Sequence, residues 1–431
     1  MDIISLISFI VCIIIVLLSL KSNIDLLSPA RVFIFVWAIV LGITNLKLSR
    51  LQFDWTTEIW IQILIGPAAF LTGVFIIYII NFGKKVYDLS SLRKLKTLSK
   101  LDTTKLFKIV LLLYSLFIIS YLILYFKVGN IPVLAAKPWL ARRDFTMFGI
   151  GLFMHNVFLI VILTVIYFLL EKKNKKKRIV LLIGTFTSVL LYSATLQRYQ
   201  IILSIFSVLL LLYYKSNKIN YKSIVGIGFL VIGFFYLISS FRLGELVLFI
   251  IYKISKMKFS PHYAVFTEPY MYISMNLENY AHGIKKLNDF SYGFYTFDFL
   301  TALSGLKHWM QEYFHLVQNP YLISINFNTY TAFWAYYRDF GILGIFFIPF
   351  LAGILISNLY YSFKKIPSIK KLAFYSMFLY VVIFSFFNSA ASFLWFFYDA
   401  IVLVIIFKSV EAKVRINNKL VNMQYEGYIK S

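Results

Sequence analysis

Arg338 and Asp339 enter an apolar segment side by side, within the stretch NTYTAFWAYYRDFGILG that runs from Asn328 to Gly344. An arginine at bilayer depth costs at least about 2.5–3.5 kcal/mol on insertion scales, so it needs a partner or a task. Other arginines stand at the ends of apolar runs: Arg142 and Arg143 in AKPWLARRD, Arg198 in ATLQRY and Arg242 in SSFRLGE. Guanidinium groups bind phosphate oxygens bidentately and keep their charge. A lipid-linked diphosphate at headgroup depth is the ligand that suits this set. The competing role is anchorage, each arginine snorkelling at a helix end. Arg338 fits anchorage least well, because on a helix it shares a face with Tyr330, Thr331, Trp334 and Gly341. Its neighbour Asp339 does not face it on a helix, so the two form no simple internal pair. Arg142, Arg143, Arg198, Arg242, Arg338, Tyr330 and Trp334 are therefore the candidate substrate-binding residues.

Glycosyl transfer with inversion needs a general base for the attacking hydroxyl and a cation for the leaving phosphate. Glu268, in VFTEPY, and Asp339 are the better candidates for the base. Asp144, Glu245, Glu278, Asp289, Asp298, Glu312 and Asp399 stand on the same side of the chain and stay open. His262, His282, His308 and His315 read as solvated loop histidines, and His155 as a hydrogen-bonded histidine within a span. No Asp-x-Asp pair, P-loop, His-Glu-x-x-His, Gly-x-Ser-x-Gly or cysteine cluster occurs. These absences argue against cytosolic nucleotide donors, and no metal or cofactor is expected. The single cysteine, Cys12, excludes an intrachain disulfide.

The elements that must position these residues are transmembrane helices. The chain is 60% hydrophobic and 14% charged, with a mean hydropathy of +0.79. Apolar runs long enough to cross about 30 Å of hydrocarbon recur along it. The fold class is all-α and polytopic, a single integral membrane domain over 1–431 with about eleven spans: 3–20, 31–46, 58–82, 106–126, 148–170, 179–195, 200–214, 223–241, 330–358, 372–389 and 393–410. The turn between the sixth and seventh falls at Arg198. Lys and Arg crowd the intervals 83–105, 171–178, 215–222 and 363–371 and the tail from Lys408. With eleven spans these all fall on one side, which the positive-inside rule makes cytoplasmic. The N-terminus is then outside and the C-terminus inside, with a large outer loop, 242–329, between spans eight and nine. Within it, 244–257 and 295–315 read as interfacial helices. The net charge of +25 is accounted for by cytoplasmic loops facing anionic lipid, without nucleic acid.

The exit stretch 328–344, the tip ATLQRY and the loop AKPWLARR resemble the oligosaccharide repeat-unit polymerases, the O-antigen and capsular polysaccharide polymerase group. The resemblance covers most of the chain in layout and is specific at 328–344. Of the Arg-x10-Gly spacing of some members, Arg142, Arg143, Arg198 and Arg242 all lack the glycine eleven residues on. The resemblance implies a metal-independent glycosyltransferase at the outer face of the bacterial cytoplasmic membrane, acting in surface polysaccharide or lipopolysaccharide biosynthesis. Its substrates would be glycans carried on undecaprenyl pyrophosphate, and its partners membrane lipid, a flippase and a chain-length regulator. Two alternatives stay open: an O-antigen-type ligase using the same carrier, and a flippase or transporter of the lipid-linked oligosaccharide. Transporters place ionisable groups near the midplane and often show repeats. Here the charges cluster at outer ends and no repeat is visible.

Overall fold

The computed structural model describes residues 3–19, 25–94, 101–215, 247–317, 319–411, 413–416 and 419–422, with the isolated positions 226 and 233. The expected span 223–241 and Arg242 lie outside the described residues. Every other expected span contains a helix. In chain order these and one further long helix are α1 (Ile3–Ser19), α2 (Pro29–Thr44), α3 (Thr57–Asn81), α4 (Thr103–Val128), α5 (Asn156–Leu170), α6 (Lys175–Ala194), α7 (Tyr199–Lys215), α8 (Thr267–Lys286), α9 (Ala332–Lys365), α10 (Ile369–Phe384) and α11 (Leu394–Val410). A short antiparallel hairpin, Lys413–Ile416 with Lys419–Asn422, follows α11. Five described helical segments are long and apolar enough to cross a membrane: Thr57–Asn81, Thr103–Leu134, Ile150–Leu170, Lys175–Ala194 and Ala332–Lys365. Ile3–Leu18, Pro29–Thr44 and Tyr199–Lys215 are shorter apolar helices. This is a helical, membrane-embedded chain.

Local chemistry sets the helix ends. Pro29 opens α2 at a position that has no N–H to lose. The Asp102 carboxylate caps α4 by accepting from the amides of Thr104 and Lys105, and Gly129, at φ 76°, ends it in the left-handed conformation. The chain leaves α6 and enters α7 through 195–198, the turn expected at Arg198. No glycine marks that turn; Leu196 takes φ 60° instead.

Where the sequence suggests one domain, the described residues gather into two compact units. The first comprises 1–90, 243–365 and 378–396; the second comprises 91–242, 366–377 and 397–431. In the first unit α3 and α9 cross with their backbones almost touching. A Cβ on Gly73 would lie 2.2 Å from the Phe350 carbonyl oxygen, and one on Gly353 would lie 2.2 Å from that of Phe70. Small residues at such a crossing let dispersion contacts run along both helices, which matters in lipid, where no hydrophobic force drives helices together. Phe33 stacks on Phe70 at 4.2 Å, and Trp37 on Phe333 at 4.9 Å. In the second unit α5 is the buried centre, with Val157, Phe158, Leu159, Ile160, Ile162 and Leu163 wholly inaccessible.

The outer-loop interval holds short helices where interfacial ones are expected: Val247–Ile254, Asp298–Leu303 and Lys307–Tyr313. Leu300, Leu303, Trp309 and Tyr313 on the latter two are more than half exposed. The interval also contains α8, a twenty-residue helix that the hydropathy pattern does not show. α8 is buried although it carries Glu268, Asn276, Glu278 and Asn279; Asn276, Glu278 and Asn279 find hydrogen-bond partners inside, while the hydroxyls of Thr267 and Tyr280 have none among the described residues. The Asn279 amide donates to the carbonyls of Phe327 and Thr329 and accepts from the Ile323 amide.

Candidate functional site

The first unit brings Arg338, Asp339, Tyr330 and Trp334 together at the start of α9. Gly341, at φ 59° and ψ −142°, interrupts the helix just beyond them. A Cβ there would come within 2.9 Å of the Phe290 ring, and the backbone conformation disfavours any side chain. The break leaves the Arg338 carbonyl to a partner outside the helix, and the Ser291 amide donates to it at 3.1 Å.

Asp339 then fastens the same loop through its side chain. Its carboxylate accepts from the Ser291 hydroxyl (2.6 Å), the Thr296 amide (2.6 Å) and the Tyr295 amide (3.1 Å). Arg338 meets that loop on its ring face: the guanidinium carbon lies 3.7 Å from the Tyr295 ring centroid. A guanidinium over an aromatic face is held flat and keeps its charge. One Arg338 Nη2–H donates to the Val317 carbonyl at 2.6 Å, and the residue is 6% exposed. Consecutive residues on one helix thus act on one loop, Asp339 on its backbone and Arg338 on a ring. Burial pushes the Tyr295 phenol up to about 12, with the Arg338 charge acting the other way.

Trp334 stacks on Tyr330 with centroids 4.9 Å apart and planes 17° apart. The Tyr330 hydroxyl donates to the Pro320 carbonyl. Trp334 lies against α8 at Gly283, where an added Cβ would sit 2.5 Å from the indole. Tyr330 and Trp334 are both buried, so they support the site from within. Tyr321 and Tyr337, which flank Trp334 and are partly exposed, are the rings that present a face. Glu268 stands apart from this cluster. It is buried in the first turn of α8, fifteen residues before Gly283, or about 22 Å along the helix.

A second polar centre in the first unit was not legible as a site. The Glu278 carboxylate, wholly buried, pairs with the Lys47 ammonium at 2.6 Å and accepts from Trp55 Nε1 and the Gln52 amide. Lys47 also lies over the Trp55 ring, 4.4 Å from its centroid. Burial pushes the Glu278 carboxyl up, and Lys47, Trp55 and Gln52 pull it back. Lys47, Gln52 and Trp55 sit in the interval 47–57, whose short length gives no hint of this. A cation in an outer interval was the available signal.

The second unit holds the remaining arginines. Arg143 is exposed and pairs with Asp144 at 3.3 Å, while Arg142, on the same short helix Pro138–Asp144, is partly buried. Arg198 is buried at the turn into α7. Two residues on, the Gln200 carboxamide nitrogen bridges Asp399 Oδ2 (3.1 Å) and His155 Nδ1 (3.2 Å). Asp399 is inaccessible, and its Oδ1 has no hydrogen-bond partner among the described residues.

No protein-family model, curated protein or solved structure matches this chain. The site must be read from its own residues. Among the described residues no group of three or more His, Cys, Asp or Glu is placed to hold a metal ion. What the first unit offers is a buried guanidinium that lies over the Tyr295 ring and donates to the Val317 carbonyl, beside partly exposed tyrosines. What the second offers is a buried Asp399 carboxyl joined through Gln200 to His155.

Proposed function

We propose that the protein is a membrane glycosyltransferase that polymerises oligosaccharide repeat units carried on a polyprenyl diphosphate. In this reading it works at the outer face of a bacterial cytoplasmic membrane, on undecaprenyl-linked glycans, without a metal. It would have eleven spans, the N-terminus outside and the C-terminus in the cytoplasm, and would work beside a flippase and a chain-length regulator. The observation that carries the reading is the Arg338 guanidinium, oriented by Tyr295 at the end of α9 that faces the large loop. A diphosphate oxygen arriving there replaces the Val317 carbonyl with a full negative charge, and bonds between two charged groups are roughly twice as strong as neutral ones.

The acceptor hydroxyl attacks the anomeric carbon of the donor glycan. The bond from that carbon to the diphosphate oxygen breaks, and the diphosphate leaves with the electron pair onto the cation. The hydroxyl proton passes to a carboxylate. Of the two candidates, Asp339 already accepts three donors, which suits holding the loop, and Glu268 lies too far along α8 to reach a hydroxyl at Arg338, so the proton is assigned to neither.

Glycan ladders test this. With membrane abundance unchanged, Arg338→Ala should leave single repeats, and Arg338→Lys, which keeps charge but loses the planar fork, should give short chains. A near wild-type ladder from Arg338→Ala overturns the reading. Loss of all surface attachment would point to a ligase. Reporter fusions at residue 174 should read cytoplasm and at residue 285 the outer side; the reverse pattern overturns the topology.

A further inference from the structure

A cavity of about 730 Å³ opens at the far end of the first unit, remote in sequence from the Arg338 cluster. It lies between the start of α2, the second half of α3 and the last turns of α9. Its lining mixes two chemistries: a polar part, Arg31, Lys364, Tyr360, Ser28 and Ser357, and an apolar part, Ile34, Leu71 and Phe75. Phe75 is 57% exposed, so the apolar part opens outward from α3 to the hydrocarbon of the membrane.

The polar part has donors to spare. The Ser357 hydroxyl is wholly buried, lines the cavity and has no hydrogen-bond partner among the described residues. A buried hydroxyl without a partner carries its desolvation cost uncompensated, which a ligand acceptor would recover. Ser28, the N-cap of α2, lines the cavity and makes no side-chain cap bond, so the start of the helix dipole lies at this site. Arg31 uses one nitrogen on the Asp25 carbonyl at 2.7 Å, leaving the rest of its fork. The Lys364 ammonium donates to the Tyr360 hydroxyl at 3.4 Å and lies over its ring, 5.3 Å from the centroid. The local acid, Asp25, has its carboxylate occupied by the Tyr360 hydroxyl and the Leu27 amide.

Cations, an uncapped helix start and an orphan hydroxyl select an anion; the apolar wall selects a chain attached to it. We propose that this cavity binds an anionic phospholipid, with the phosphate at Arg31, Lys364 and Ser357 and an acyl chain along α3 at Leu71 and Phe75. A free phosphate would use the polar part and leave the wall idle. The volume lies within the usual range for ligand sites, about 300–1,000 Å³. Lys84, Lys85 and Lys365 lie in sequence at this same end of α3 and α9, as befits a leaflet rich in anionic lipid.

The test uses the full chain in detergent, titrated with phosphatidylglycerol, phosphatidylcholine or inorganic phosphate and read by native mass spectrometry. Phosphatidylglycerol should stay bound in preference to phosphatidylcholine, and millimolar phosphate should not displace it. Arg31→Gln with Lys364→Gln should weaken phosphatidylglycerol binding about 30-fold, from roughly fivefold per cation near the surface. Ser357→Leu, which fills the cavity, should abolish it. Arg31→Lys with Lys364→Arg should bind like wild type, and matched unfolding temperatures confirm that each variant is folded. Equal retention of the two lipids overturns the proposal, as does wild-type binding in the Gln variant. Displacement by inorganic phosphate also overturns it and makes the site one for free anions.

Discussion

Replacing Asp339 by alanine separates two jobs that a carboxylate beside Arg338 could have. As a proton acceptor, Asp339 could be removed with the loop intact. As the group that holds the loop, it could not. Two of its bonds come from backbone amides, Tyr295 and Thr296, onto a charged oxygen. Bonds to charged groups contribute about 1.5–3 kcal/mol each, so the gross loss is about 3–6 kcal/mol. Water reaching the loop would offset part of it; about 3 kcal/mol is a fair net figure, or a little over a hundredfold in the local opening equilibrium. Amide hydrogen exchange at 291–296, measured by mass spectrometry in detergent, reads that equilibrium directly. We expect exchange there to quicken about a hundredfold in Asp339→Ala while α3 keeps its protection. Exchange at 291–296 equal to wild type, with polymer lost, would refute the holding role and return Asp339 to the list of bases.

Three further outcomes follow from the packing. Lys47→Met strands the buried Glu278 charge and should cost about 3–5 kcal/mol, with much of that recovered in Lys47→Met/Glu278→Met, as chemical denaturation would show. Gly353→Ala forces α3 and α9 apart at a crossing where a Cβ meets a carbonyl oxygen, so the unfolding temperature should fall by an amount equivalent to about 1–3 kcal/mol. Burial raises the Tyr270 phenol to about 12, so the stability it contributes is fully present below pH 10 and is lost as pH rises through about 12. A pH series of unfolding curves should show that loss in the wild type and a blunted one in Tyr270→Phe.

The helices were largely legible because lipid leaves a long apolar run few other options. The turn at 195–198 was legible from length alone, without any glycine or proline. α8 was not, since a buried helix rich in Asn and Glu looks like a loop until its partners are known. Asn279 bonds to residues near 323–329, and Glu278 to Lys47 some 230 positions away; no local pattern encodes either. At the site, the sequence singled out Arg338 and Asp339 by their depth. It could not show that Tyr295 lies beneath one and is tied to the other. Tyr330 and Trp334 are aromatics on the right face in sequence, but both are buried, Trp334 against Gly283, which leaves the exposed surface to Tyr321 and Tyr337. The Gln200 bridge between His155 and Asp399 joins three distant segments, and spacing carries no trace of it.

The interruption at Gly341 has a mechanical consequence. Beyond it, α9 is a stiff strut clamped to α3 by the paired glycines; before it, one short helical tip is tied to the loop by Asp339 and the Arg338 carbonyl. Struts tilt when bilayer thickness changes, because the apolar length must match the hydrocarbon. With a pivot at Gly341 the strut can lean while the tip keeps its seat. Arg338, Asp339 and the loop they hold are thereby insulated from changes in membrane thickness.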